Sequence, residues 1–348
     1  MDIKVNETPV RTSRNFRINN ISIENVNIPS KLDEFKNVNI TSENTLINSN
    51  EEKINLVYGN GNILLNNVNK EKNSSLKITT TGKNSNIKII FTFDDKNLDL
   101  VNDILLDIKH DSNIIIQYIS NTNKECFHNG ALKLIVRKRV KVNISIVNML
   151  NNNSYNFDSI ENDLEENSNL KYTIVDFGGK YSVSNYYSNI YGYSAKNDLK
   201  SVYLGIDNQV KDINYIAHLK GKKTDINIDV QGALKDSAKK NFKGTIDFKR
   251  GCKKAKGDEN EFCILLSPKA KSIALPMLLC TEDDVEGNHS TASGKVDEKS
   301  LFYIMSRGFS EKEAIKLIVR ARFNKIIERI KDDKIKEEIL SQIDERLN

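Results

Sequence analysis

The sequence predicts a mainly β protein with a short helical tail, and three observations carry that reading. Apolar and polar residues alternate at period two through most of the chain. This is clearest where Val140, Val142, Ile144 and Ile146 interleave with Lys141, Asn143 and Ser145. Asn, Asp, Gly and Ser cluster between such runs, as turns require. From Asp297 onward the apolar spacing lengthens to the helical three-and-four pattern. Strand after strand without intervening helices leaves a sandwich, a barrel and a β-helix open. More than two hundred residues of short strands favour a solenoid, although no strict repeat is visible.

Taken in order, residues 1–54 are polar and read as an arm with short strands. Residues 55–296 form the β body, with strands expected over 86–93, 103–110, 113–120 and 140–146. Residues 297–348 form the helical segment. There Asp297 caps a short helix that Gly308 ends, and Ser310-Glu311-Lys312-Glu313 is a capping box. The next helix aligns Ile315, Val319, Phe323, Ile326, Ile327 and Ile330, and the last aligns Ile335, Ile339, Ile343 and Leu347. The abundance of asparagine fits repeated corners, because Asn tolerates left-handed backbone.

The net charge of +5 is spread over 52 basic and 47 acidic residues, too balanced for a nucleic-acid surface. The one compact basic run, Arg137-Lys138-Arg139-Val140-Lys141, reads as a solvated turn. No apolar leader and no apolar run of about 18 residues is present, so a cytoplasmic protein without membrane contact is expected. Four unevenly spaced cysteines do not make a disulfide framework. Gly221-Lys222-Lys223-Thr224 lacks the first glycine of a phosphate-binding loop, and Gly59-Asn60-Gly61 is a turn. Any nucleotide hydrolysis must therefore come from another chain.

Chemistry concentrates in residues 251–308. His289 follows Asp283, Asp284 and Glu286, and a neutral imidazole suits iron or proton transfer. Cys280 ends the apolar run Met277-Leu278-Leu279-Cys280. A thiolate there binds iron, and a thiol there equally well fills a core. Nine residues separate Cys280 from His289, which is no metal-binding spacing, so consecutive strands would have to bring them together. Cys252 and Cys263, eleven apart, and the Cys126-x-His128 pair lack ligand spacing and read as structural, as does His218.

This segment also resembles a known family. Leu265-Leu266-Ser267-Pro268-x-Ala270, Pro276-x-Leu278, Asp283-Asp284-Val285, His289-Ser290-x-Ala292 and Leu301-Phe302-Tyr303-x-x-x-Arg307-Gly308 follow in order the signature of the SufB/SufD scaffolds of the SUF iron–sulfur cluster assembly system. Gly232-Ala233-Leu234-Lys235-Asp236-Ser237 and Phe242-x-Gly244-x-Ile246 extend the likeness upstream. The run 6–20, with Pro9, Arg11 and Thr12, resembles the family's first segment. The resemblance implies a right-handed parallel β-helix and a non-enzymatic scaffold that holds no permanent cofactor but handles iron or a transient iron–sulfur cluster. The partners it implies are an ABC-type ATPase, SufC, and a SufB-type scaffold.

Histidine at 289 is the SufD-like choice, so His289, with Glu286 and Cys280 beside it, becomes the candidate assembly site. Phe302, Tyr303, Arg307 and Gly308 become candidates for docking the ATPase. A homodimeric scaffold using Cys280 and His289 from both copies is the alternative within the system. A β-helix polysaccharide-binding protein is the alternative outside it. The latter predicts a secretion signal and aromatic sugar platforms, yet the chain has no tryptophan.

Overall fold

The computed structural model describes residues 1–11, 18–50 and 52–348, so Thr12 of the N-terminal resemblance lies outside the described residues. Two nine-stranded sheets wind around a common interior in about eight turns, a parallel β-helix. From Ser74 onward the chain alternates between them, so each strand pairs in parallel with the strand two places on. The first sheet runs through Ser112–Ser120, Lys141–Met149, Asn169–Asp176, Lys196–Gly205, Asp225–Leu234 and Ala255–Leu265 to Val285–Gly294. The second runs through Asp99–Ile108, Phe127–Val136, Tyr155–Leu164, Tyr181–Ile190, Val210–Leu219 and Lys239–Phe248 to Lys271–Cys280. The four strands expected over 86–93, 103–110, 113–120 and 140–146 lie at Ser85–Phe93, Asp99–Ile108, Ser112–Ser120 and Lys141–Met149.

Register explains why no strict repeat was legible. Tyr186 pairs with Ile160 and Pro276 with Gly244, offsets of 26 and 32 residues, so successive coils differ in length. The corners absorb the difference with a fixed device. The residue one or two places before a first-sheet strand adopts positive φ at Asn84, Arg139, Asn167, Ser194, Lys223 and Lys254. Asparagine fills only two of these six positions. The backbone N–H of each corner from Arg139 to Lys254 donates to a carbonyl of the next coil, such as Lys223 to Lys253 at 2.9 Å. Stacking thus fixes a conformation that propensity disfavours. The basic run 137–141 lies on one corner, where Arg137 bridges Asp107 and Glu165.

Two expectations need correction. A helix, α1 (Asn62–Glu71), interrupts the region read as unbroken strand. Its apolar stripe is short, with only Leu64 and Val68 buried among asparagines, which hid its period. Both sheets also start earlier than expected, with Val38–Ser42 and Thr45–Asn48 joining them antiparallel.

The interior is apolar at most levels, with Ile, Leu, Phe and Tyr side chains from both sheets in one continuous core. The outer faces are covered separately. The N-terminal segment and α1 pack on the second sheet through Ile3, Val5, Leu64 and Val68 against Phe127, Tyr155 and Phe157. Asn6 is buried there, donating to Asp212 and Ser184, while Lys243 donates to its carbonyl at 2.9 Å.

The first sheet is covered by the tail helices. These are α2 (Glu298–Met305), α3 (Glu311–Ile327) and α4 (Asp333–Arg346). Val319, Phe323, Ile326, Ile327 and Ile330, with Ile335, Ile339 and Ile343, bury against Val147, Val175, Val202 and Leu204. Arg329 fastens the contact to Asp198 at 3.2 Å. The caps match the sequence: Asp297 accepts from the Ser300 N–H, the Ser310–Glu313 box is closed, and Gly308 has φ of +98°. Among the described residues no helix is long and apolar enough to cross a membrane.

Candidate functional site

The solenoid ends open. Lys271–Cys280 and Val285–Gly294 are the terminal strands of their sheets, each ten residues long and each paired along one edge only. Their other edges carry unmatched backbone donors and acceptors. Pro276 sits in one of them, an edge strand being a place where a sheet tolerates proline.

Register fixes which residues face the interior. In Ala255–Leu265 the alternating buried set is Ala255, Gly257, Glu259, Glu261 and Cys263, while Ile264 is buried on the outer face under the tail helices. Their partners one layer up are Val285, Gly287, His289, Thr291 and Ser293. His289 therefore belongs to the inward-facing set, at the exposed mouth. Glu286 belongs to the outward set, where it accepts from Lys256 at 2.8 Å, so it does not share a face with His289. Cys280, paired with Phe248, is also in an inward-facing register position; it is exposed and its thiol donates to the Glu282 carbonyl at 3.0 Å.

Cys280 and His289 do not converge. A Cβ on Gly244 would lie 2.2 Å from the Glu259 carboxylate, so those two positions face each other across the interior. One layer up, Gly244 pairs with Pro276 and Glu259 with His289. His289 thus stands across from Pro276, and Cys280 lies four residues further along, about 13 Å at strand spacing. Among the described residues no cluster of three or more His, Cys, Asp or Glu is arranged to hold a metal ion.

The layer directly beneath the mouth is charged, which the sequence reading missed. Lys240 donates to Glu261 at 2.8 Å, and the Tyr203 hydroxyl donates to the same carboxylate oxygen at 2.8 Å. Lys240 and Glu261 are both sealed from solvent at the side chain. Gly232 makes room for the Tyr203 ring, since a Cβ there would fall 1.9 Å from it. Glu259 has no such partner. It is 1% exposed, and neither carboxylate oxygen makes a hydrogen bond. Burial, with Glu261 nearby, pushes its carboxyl up to about 8. Cys263 lies in the same layer, its thiol raised by burial. The signal was present in the sequence: Gly257, Glu259, Glu261 and Cys263 occupy the alternating set that faces the core.

The other sequence candidates are structural. His128 is buried between Asn102 and Asn156 at 3.0 and 2.6 Å, and burial lowers its pKa. His218 lies against Tyr187 at 3.2 Å and Asp247 at 3.6 Å, its pKa lowered to about 4 mainly by burial. Cys126 and Cys252 are buried in the core.

Beyond the mouth, α2 buries none of its residues. Phe302 is 74% and Tyr303 59% exposed. The Arg307 guanidinium lies 5.2 Å from the Tyr303 ring centre and donates to its hydroxyl at 3.2 Å. A groove between α2, α3 and the first sheet is lined by Phe262, Ile264, Val296, Ile304 and Leu317.

Comparison with known proteins agrees with this architecture. The family model described as SUF system FeS cluster assembly, SufBD core domain, matches residues 91–322. The iron–sulfur cluster assembly protein SufD of Bacillus subtilis is 31% identical over 167 residues, covering 48% of this chain and 38% of that protein. A SufBD family protein of Staphylococcus saprophyticus is 28% identical over 192 residues, 55% of this chain and 41% of the relative. The matched region thus spans about two fifths of each relative's length. The open-ended β-helix with its helical tail is thus matched by that core domain over most of its length, which defines a class of iron–sulfur cluster assembly protein. The chain belongs to the SufBD family of the SUF iron–sulfur cluster assembly system.

Proposed function

We propose that this chain is a SufD-like scaffold subunit that pairs end to end with a second β-helix of the SufB type and handles iron or sulfide where the two mouths meet. The observation that carries this reading is the pair of ten-residue terminal strands with unmatched edges, one of them presenting His289 from the inward-facing set. Such edges are completed by strand addition from a partner. Closing the mouth lowers the local dielectric, which strengthens whatever His289 binds. The exposed Phe302 and Tyr303 of α2, beside an apolar groove, supply a docking face for an ABC-type ATPase of the SufC kind, whose cycle works the scaffold pair. The chain acts by assembly rather than by turnover of a small substrate, and the cluster is cargo.

Single proline substitutions at Ser290 and Thr291 test the pairing. Neighbouring residues of a strand send their N–H groups to opposite sides. One variant therefore breaks the ladder to Ala255–Leu265, and the other removes only a free-edge donor. The free-edge variant is expected to keep native hydrogen exchange in Ala255–Leu265 and to lose complex formation with the B-type scaffold in light scattering. Intact complex from that variant contradicts the pairing. A stable dimer of the chain alone, abolished by the same variant, replaces the mixed pair with a homodimer.

A further inference from the structure

We propose that Glu259 and His289 are the inner and outer donors of a divalent-cation site in the mouth of the solenoid, and that the cation is ferrous iron. The assignment of iron rests on the SUF reading above; the donor pair rests on geometry.

Glu259 and His289 are directly paired in register on adjacent strands, and both belong to the inward-facing set. Residues so paired stand about 4.8 Å apart at the backbone, a separation that one cation spans. The Glu259 carboxylate lies in the interior against Gly244, where no side chain larger than hydrogen fits. It is the exception in its layer. Glu261 is matched by Lys240 and Tyr203, whereas both oxygens of Glu259 are buried without a donor. A buried carboxyl without a partner is costly in either protonation state. Such a group persists where it serves a ligand. A cation entering past exposed His289 meets the carboxylate one layer down and supplies the missing charge.

Mixed oxygen and imidazole donors suit first-row divalent ions. Two protein donors leave the remaining positions open, consistent with delivery to a partner. Cys280 is not in the set, since it stands about 13 Å further along.

The test is anaerobic equilibrium dialysis of the full chain against Fe(II), with Co(II) absorption as a second readout. Three variants are compared with the wild type: Glu259→Gln, Gly244→Ala and His289→Ala. Glu259→Gln keeps the shape and removes the charge. Gly244→Ala keeps both donor residues but drives the Glu259 carboxylate from its cradle. Each is expected to weaken Fe(II) binding by about tenfold or more, the least that losing a direct ligand implies, with circular dichroism unchanged. Wild-type affinity retained in both Glu259→Gln and Gly244→Ala overturns the proposal, as does a wild-type chain that binds no Fe(II). Complex formation with the B-type scaffold is scored separately. Pairing without Glu259-dependent iron sinks this inference alone, and iron binding without pairing sinks the scaffold reading alone.

Discussion

Replacing Lys240 with methionine tests whether the charged layer beneath the mouth is a structural unit. Lys240 and Glu261 are sealed from water, with Nζ to Oε1 at 2.8 Å. Lys240→Met keeps the aliphatic volume and leaves Glu261 with the Tyr203 hydroxyl as its remaining donor. Removing one member of a buried pair costs about 3–5 kcal/mol, because the other charge stays desolvated. A solenoid does not unfold as one cooperative block, so the loss should be local. Hydrogen exchange is the assay. Amides of Lys239–Phe248 and Ala255–Leu265 should exchange about 10²- to 10⁴-fold faster, while those of Asp99–Ile108 and Phe127–Val136 keep wild-type rates. Lys240→Met with Glu261→Gln should recover most of the protection, because the amide still accepts from Tyr203 and no charge is stranded. Unchanged exchange in Lys240→Met, or a double variant worse than the single one, refutes the reasoning.

Three further outcomes are expected. Phe302→Ala and Tyr303→Ala should leave the unfolding temperature within about 1 °C, since exposed side chains contribute little, yet reduce capture of a SufC-type ATPase by about tenfold or more in a pull-down. Gly232→Ala drives a methyl into the Tyr203 ring and should destabilise the last coils by about 1–3 kcal/mol, seen as faster exchange in Asp225–Leu234. Acid should weaken the fold through His218, whose neutral form is held by burial although Asp247 faces it and Lys249 and Lys220 oppose its charging. The unfolded chain takes up this proton near pH 6.5 and the folded one near 4. The contribution is therefore full above pH 6.5 and falls as pH drops toward 4, by about 1–2 kcal/mol after solvent screening. His218→Gln should remove that part of the slope when urea midpoints at pH 7 and 4.5 are compared.

Much of the fold was legible because alternation records which face of a strand is buried. Val142, Ile144 and Ile146 are all inward, and the Ser310–Glu313 box closes as its spacing required. The coil length was not legible, because offsets drift from 26 to 32 residues and left-handed corners at Arg139, Ser194 and Lys223 are imposed by hydrogen bonds between coils. Helix α1 escaped because asparagines dilute its stripe.

Within the candidate site, His289 was nominated by its motif, and the structure places it in the inward-facing set of a terminal strand. Its neighbours were not, because sequence proximity misleads in a solenoid. Glu286, three residues away, faces outward, whereas Glu259, thirty residues away, lies beneath it. Acidic residues at core parity were the available signal, and reading it required knowing that Ala255–Leu265 and Val285–Gly294 pair in register.

On the proposed function, this chain is half of a scaffold whose mouth receives iron at His289. Anaerobic co-purification with the SUF ATPase and a B-type scaffold, comparing wild type with His289→Ala for iron and sulfide content, tests it most directly. The complex is expected to assemble in both cases, with the substitution lowering its iron. A complex whose iron and sulfide are unchanged by His289→Ala, or no complex at all, contradicts it.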